Sequence, residues 1–233
     1  MRGCLFVLLA GVIVLVGAFW FAGPPLAGVV VGTTLTAAGL DADQVEVAVE
    51  ADPPLRLAIG QADRVRIDAR NVDWNGIRAA RLVAELGGVD LLGRTARTAE
   101  GRLDDVVLER SGEDEPILVQ VEFAGPADAA TTVVGVDRAT AERLALAAFE
   151  AELGTRPERA TLVAPDTVTF EAAGQSVSGR LEIAADGSLR AATPLGTVVL
   201  VESDELPFDL TDLSVGPTGL ELTGTLDVAA MLG

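Results

Sequence analysis

In three consecutive segments of this chain apolar side chains recur at every second position, and that period constrains the fold more than any other feature. Val45, Val47 and Val49 alternate with Glu46 and Glu50; Leu55, Leu57 and Ile59 with Arg56 and Ala58; Val65, Ile67 and Ala69 with Arg64, Arg66, Asp68 and Arg70. Successive side chains of a strand point to opposite faces, so each segment predicts a strand with one buried and one wet face. Asn75-Gly76 reads as a tight turn. The stretch Ile77–Leu86 has helix-forming composition but sits between strand-like segments, and is read as strand. Further strands are expected around 105–110 and 117–123, flanking the acidic loop Glu113-Asp114-Glu115. The last third reads as strand and turn: Val168–Phe170, Val177–Ile183, Leu189 onward, Val198–Val201, Leu210–Val215 and Leu220–Val228, with turns at Asp186-Gly187 and Gly216–Gly219.

Two segments break this pattern. Asp137–Leu153 predicts a helix, with Asp137 or Thr140 available as cap and Gly154 just past its end. Its apolar residues Leu144, Ala145, Ala148, Phe149 and Leu153 fall near one stripe. A second helix is expected to begin at Pro24-Pro25 and stop at Gly39-Leu40. The fold class is therefore α+β: one domain over 24–233, a strongly twisted, mostly antiparallel sheet accompanied by two helices.

Ahead of that domain, Cys4–Ala22 is a run of 19 residues with no charged or strongly polar side chain. At ~1.5 Å per residue it spans roughly 28 Å, close to the ~30 Å hydrocarbon core of a bilayer. A cleaved signal peptide has a shorter apolar region, about 7–15 residues, followed by small residues; here Phe19, Trp20 and Phe21 occupy that place, as in an interfacial belt. Residues 1–23 are read as an uncleaved transmembrane helix, with a signal peptide as the alternative. Arg2 marks the N-terminus as cytoplasmic, which places the domain outside the cytoplasm and the protein in the cell membrane with a single pass.

Composition removes much chemistry. All 17 basic residues are arginine; there is no histidine, lysine or tyrosine, and Cys4 is the one cysteine. That leaves no imidazole base, no Schiff-base lysine and no zinc or iron–sulfur ligand set of the usual kind. A net charge of −18 argues against a nucleic-acid partner. No cofactor is expected, and the chain is read as a non-enzyme.

Charge is unevenly placed: residues 56–102 hold nine arginines against six acids, whereas 103–233 hold seven against 24. Arg64, Arg66 and Arg70 share one strand face, which suits either a lipid phosphate or, as alternation favours, plain solvation. Asp41, Asp43 and Glu46 hint at calcium but lack the glycine and closing glutamate of an EF-hand, so no metal site is expected. Acid clusters at 113–115 and 202–205 leave a carboxylate hydrolase as a third-ranked reading. Phe149, Phe170 and Phe208 are read as core or cavity wall.

The segment from Val45 to Arg78 resembles the LmeA-like group of bacterial envelope proteins. The resemblance rests on a proline-led apolar stretch ending in glycine, Pro53-Pro54-Leu55-Arg56-Leu57-Ala58-Ile59-Gly60, and on Asp63-Arg64-Val65-Arg66-Ile67 after it. Near the C-terminus it continues with Leu206-Pro207 and a hairpin turning at Gly219. It implies a phospholipid-binding protein of the cell envelope, its sheet wrapped around helices to leave an apolar channel that holds or moves lipid. On that basis Val65, Ile67, Leu144, Ala148 and Phe149 are candidate acyl-chain contacts, and Arg64, Arg66 and Arg70 candidate headgroup contacts. The partner is membrane phospholipid; the alternative is an anchored structural or partner-binding module without a cavity.

Overall fold

The computed structural model describes residues 40–74, 77–108, 117–172, 174–203 and 208–232. The apolar run at 4–22, the helix expected after Pro25, the Asn75-Gly76 turn and the acidic loop at 113–115 lie outside them. Among the described residues no helix is long and apolar enough to cross a membrane.

Two edge segments, β1 (Leu40–Asp41) and β2 (Gln44–Glu50), pair with β3 (Gln61–Trp74). From β3 the chain meanders through β4 (Ile77–Asp90), β5 (Thr98–Leu108), β6 (Ile117–Pro126) and β7 (Ala130–Asp137), each strand antiparallel to the last. It then leaves the sheet as helix α1 (Arg138–Leu153) and builds a second meander: β8 (Arg159–Val163), β9 (Thr167–Ala172), β10 (Gln175–Ile183), β11 (Leu189–Thr193) and β12 (Gly196–Val201). Finally β13 (Asp209–Val215) and β14 (Gly219–Leu226) return, β14 pairing with β7, and the short helix α2 (Val228–Leu232) follows. The result is a nine-stranded and a five-stranded antiparallel sheet.

This corrects the expectation of one sheet around two helices. Alternation tells which face of a strand is apolar but not which sheet it joins. Here α1 packs chiefly on β8 and β12, and more lightly on β7 and β14 of the larger sheet. The buried faces of the second meander, Ala160, Leu162, Val168, Phe170, Leu181 and Leu200 among them, lie beneath that helix and join the same hydrophobic core as the larger sheet.

Two local expectations meet different outcomes. Pro54–Ile59 is a 3-10 helix rather than a strand, because Pro53 and Pro54 have no N–H to give a ladder. The Arg56 N–H instead donates to the Pro53 carbonyl and the Gly60 N–H to that of Leu57, both at 3.0 Å. Ile77–Asp90, in contrast, is a strand as expected, held between β3 and β5 despite its helix-forming composition. Helix α1 has the expected ends: the Thr140 N–H donates to Asp137 Oδ1 at 3.0 Å, and Gly154 takes the left-handed conformation, φ +68°.

Candidate functional site

Alternation in the large sheet is interrupted where the backbone turns left-handed, and these interruptions decide which side chains face inward. Val65, Ile67 and Ala69 point into the core, so strict alternation would send Trp74 to solvent. Asn71 prevents this. It adopts φ +50°, a conformation asparagine tolerates, and its Nδ2 donates to Asp43 Oδ2 at 2.7 Å. Beyond it Val72 and Trp74 are buried. Asp105, at φ +54°, does the same in β5 where the register against β6 shifts, so Leu103 and Val106 both turn inward.

The inward residues enclose a pocket lined by aliphatic and aromatic side chains alone. Trp74, Leu82, Leu103, Val106, Val121 and Phe123 contribute from β3 to β6, and Phe208, Leu226 and Val228 complete the wall. The Ala229 N–H donates to the Ala127 carbonyl at 2.9 Å and fixes α2 at the β6–β7 turn. The void is about 20 Å³, room for about one water molecule. In this apolar wall the indole Nε1–H of Trp74 is buried with no hydrogen-bond partner among the described residues. A buried donor left unpaired costs about 1–3 kcal/mol, and a ligand oxygen would relieve it.

A larger, open groove of about 760 Å³ lies on the opposite, outer face of the same sheet. Arg66 and Arg102 line it, but so do Glu85, Glu100 and Glu122, an acidic excess that disfavours a phosphate. Among the described residues no group of three metal-ligating side chains gathers.

The residues singled out from sequence fall in three places. Val65 and Ile67 are buried on the inner face of β3, without lining the pocket. Leu144, Ala148 and Phe149 are buried on α1, with Phe149 against Phe170 of β9 at a ring separation of 4.4 Å. Both groups belong to one continuous hydrophobic core, although neither lines the pocket.

Arg64, Arg66 and Arg70 do share one exposed face of β3, on the side away from Val65 and Ile67. Glu85 on β4 holds two of them, accepting from Arg64 Nε at 2.6 Å and from Arg66 Nη2 at 2.9 Å, with Glu50 of β2 3.6 Å from Arg64. Beside them Arg81 binds both oxygens of Asp68 and holds that carboxyl below its usual range. Of the pocket residues, Phe208 was visible in the sequence as a wall residue. Trp74 was not, although Val72 and Trp74 resume alternation on the opposite parity just after an asparagine, a residue suited to a bulge.

A family model described as LmeA-like phospholipid-binding matches residues 21–225 of the chain. No curated protein and no solved structure matches it. The match runs through both sheets, α1 and every strand that lines the pocket, and the chain belongs to the LmeA-like phospholipid-binding family.

Proposed function

We propose that this protein binds phospholipid with an acyl chain in the apolar pocket of the nine-stranded sheet, and that it does no catalysis. The observation that carries the reading is Trp74: a buried N–H, unpaired among the described residues, in a wall otherwise without polar groups. An ester or phosphate oxygen supplies the missing acceptor while methylenes take the aliphatic surface. Because the void holds about 20 Å³, a chain enters only as Phe208 and the residues around it part from β3–β6.

The small void also favours a second reading, an anchored module whose interior is simply filled. Lipid extraction from the purified protein, read by mass spectrometry, decides between them. Phospholipid near one molecule per chain supports the first reading, and a lipid-free folded protein supports the second.

The apolar run Cys4–Ala22 supports a membrane tether with the domain outside the cytoplasm, where it holds or moves lipid within the envelope. Such a protein stays in the membrane through an alkaline carbonate wash. A mature chain starting near residue 24–28 on N-terminal sequencing would show a cleaved signal instead.

A further inference from the structure

Three large aliphatic side chains stand in solvent at one end of the β3–β4 hairpin. Leu55 is 50% exposed and Ile59 61% on the 3-10 helix, and Leu92 is 80% exposed in the loop after β4. The two loops are one surface. Gln61 is paired with Asp90, the Leu91 N–H donates to the Gly60 carbonyl at 2.7 Å, and Leu92 lies directly over Gly60. Isolated exposed leucines are ordinary, but a cluster of three on adjoining loops marks a contact surface.

Charge says what the contact is with. The segments 53–60 and 91–97 carry Arg56, Arg94 and Arg97, bordered by Asp52, Asp63 and Asp90, whose carboxylate accepts from the Leu92 and Gly93 N–H groups. Arg56 is paired with Asp63; Arg94 is exposed and makes no ion pair or hydrogen bond among the described residues. Aliphatic side chains flanked by arginines fit the boundary between headgroups and acyl chains, where the apolar part inserts and the guanidinium meets phosphate. The acid-rich part of the chain, 103–233, meets this end at the β6–β7 turn, where the Ala127 N–H donates to the Arg97 carbonyl at 3.1 Å and Asp128 follows. Its acids lying beyond a Debye length, about 8 Å at physiological salt, are screened. The β3–β4 hairpin carries a buried apolar face from Ala62 and Val89 at this tip to Trp74 at its other end.

We propose that the tip formed by Leu55, Ile59, Leu92 and Arg94 docks the protein onto a bilayer surface bearing anionic phospholipid, resting on the lipid-binding reading above. The test uses the full chain with Cys4→Ser, reconstituted in phosphatidylcholine–phosphatidylglycerol vesicles. A polarity-sensitive fluorophore is placed on Leu92→Cys, on Ile59→Cys, or on Leu195→Cys, a position 60% exposed in the β11–β12 turn. Both tip positions should shift to blue emission and be quenched by spin-labelled lipid, and Leu195→Cys should not. Arg94→Glu should weaken the tip signal several-fold. Tip probes that report water, as at Leu195→Cys, overturn the proposal. Bound lipid is assayed on the same samples: lipid retained with a wet tip refutes docking alone, whereas an inserted tip on a lipid-free protein supports docking and refutes the binding reading.

Discussion

The rings of Phe149 and Phe170 meet at 4.4 Å with their planes at 42°, joining α1 to β9 of the five-stranded sheet. That contact makes the apolar stripe of α1 core. Ala148, adjacent to Phe149, is fully buried, and a close-packed interior accepts added volume poorly. Ala148→Trp should therefore lower stability by at least about 1–3 kcal/mol, seen as a drop in Tm of several degrees. Lipid retained per folded molecule should stay unchanged. Lost lipid with an unchanged Tm would show instead that α1 lines a cavity.

Asp137 caps α1, and its hydrogen bonds with Thr140 hold its carboxyl below the usual carboxylate range. A depressed folded-state pKa contributes stability above the unfolded value of ~3.9, and that contribution is lost as pH falls through the folded value. Asp137→Ala should cost about 1 kcal/mol at pH 7 in urea titrations. The gap from the parent chain should close below about pH 4. With no histidine in the chain, the gap should be flat from about pH 5 to 8.

Arg64 and Arg66 are engaged by Glu85 on the face of β3 away from the buried side chains. Exposed pairs of this kind contribute little, about 0–1 kcal/mol. Arg64→Gln with Arg66→Gln should leave both lipid retention and Tm nearly unchanged. A several-fold fall in retained lipid would make that face the headgroup site.

Much of this was legible in the chain. Alternation located β2, β3 and the strands after α1, and Asp137 and Gly154 marked the helix ends, because these signals are local. Partnering was not legible. Nothing in the spacing of Ala160, Leu162 or Phe170 says that their strands form a separate sheet under α1, since every half-buried strand carries the same pattern. The pocket was hidden for a related reason. Counting in twos from Val65 places Trp74 outside, and one left-handed residue, Asn71, reverses the count. Pro53-Pro54 likewise turned an apparently alternating segment into a 3-10 helix, which left Leu55 and Ile59 exposed.

Trp74→Phe removes the unpaired N–H and keeps most of the ring. In lipid-free protein the loss of an unsatisfied donor offsets the lost packing, so Tm should move little. Affinity for phospholipid should fall about tenfold, the worth of roughly one hydrogen bond. Equal affinity in the two proteins would mean that the indole meets no ligand oxygen.

The chain has two tryptophans, Trp20 and Trp74, so Trp20→Phe leaves Trp74 as the sole indole emitter, placed in the pocket wall. The most direct test is its fluorescence during titration with phospholipid brominated along the acyl chain, since bromine quenches only on close approach. Saturable quenching that levels off near one lipid per protein, and is reversed by unbrominated lipid, is the expected result. Trp74 emission that stays constant while the protein carries bound lipid would contradict an acyl chain in this pocket.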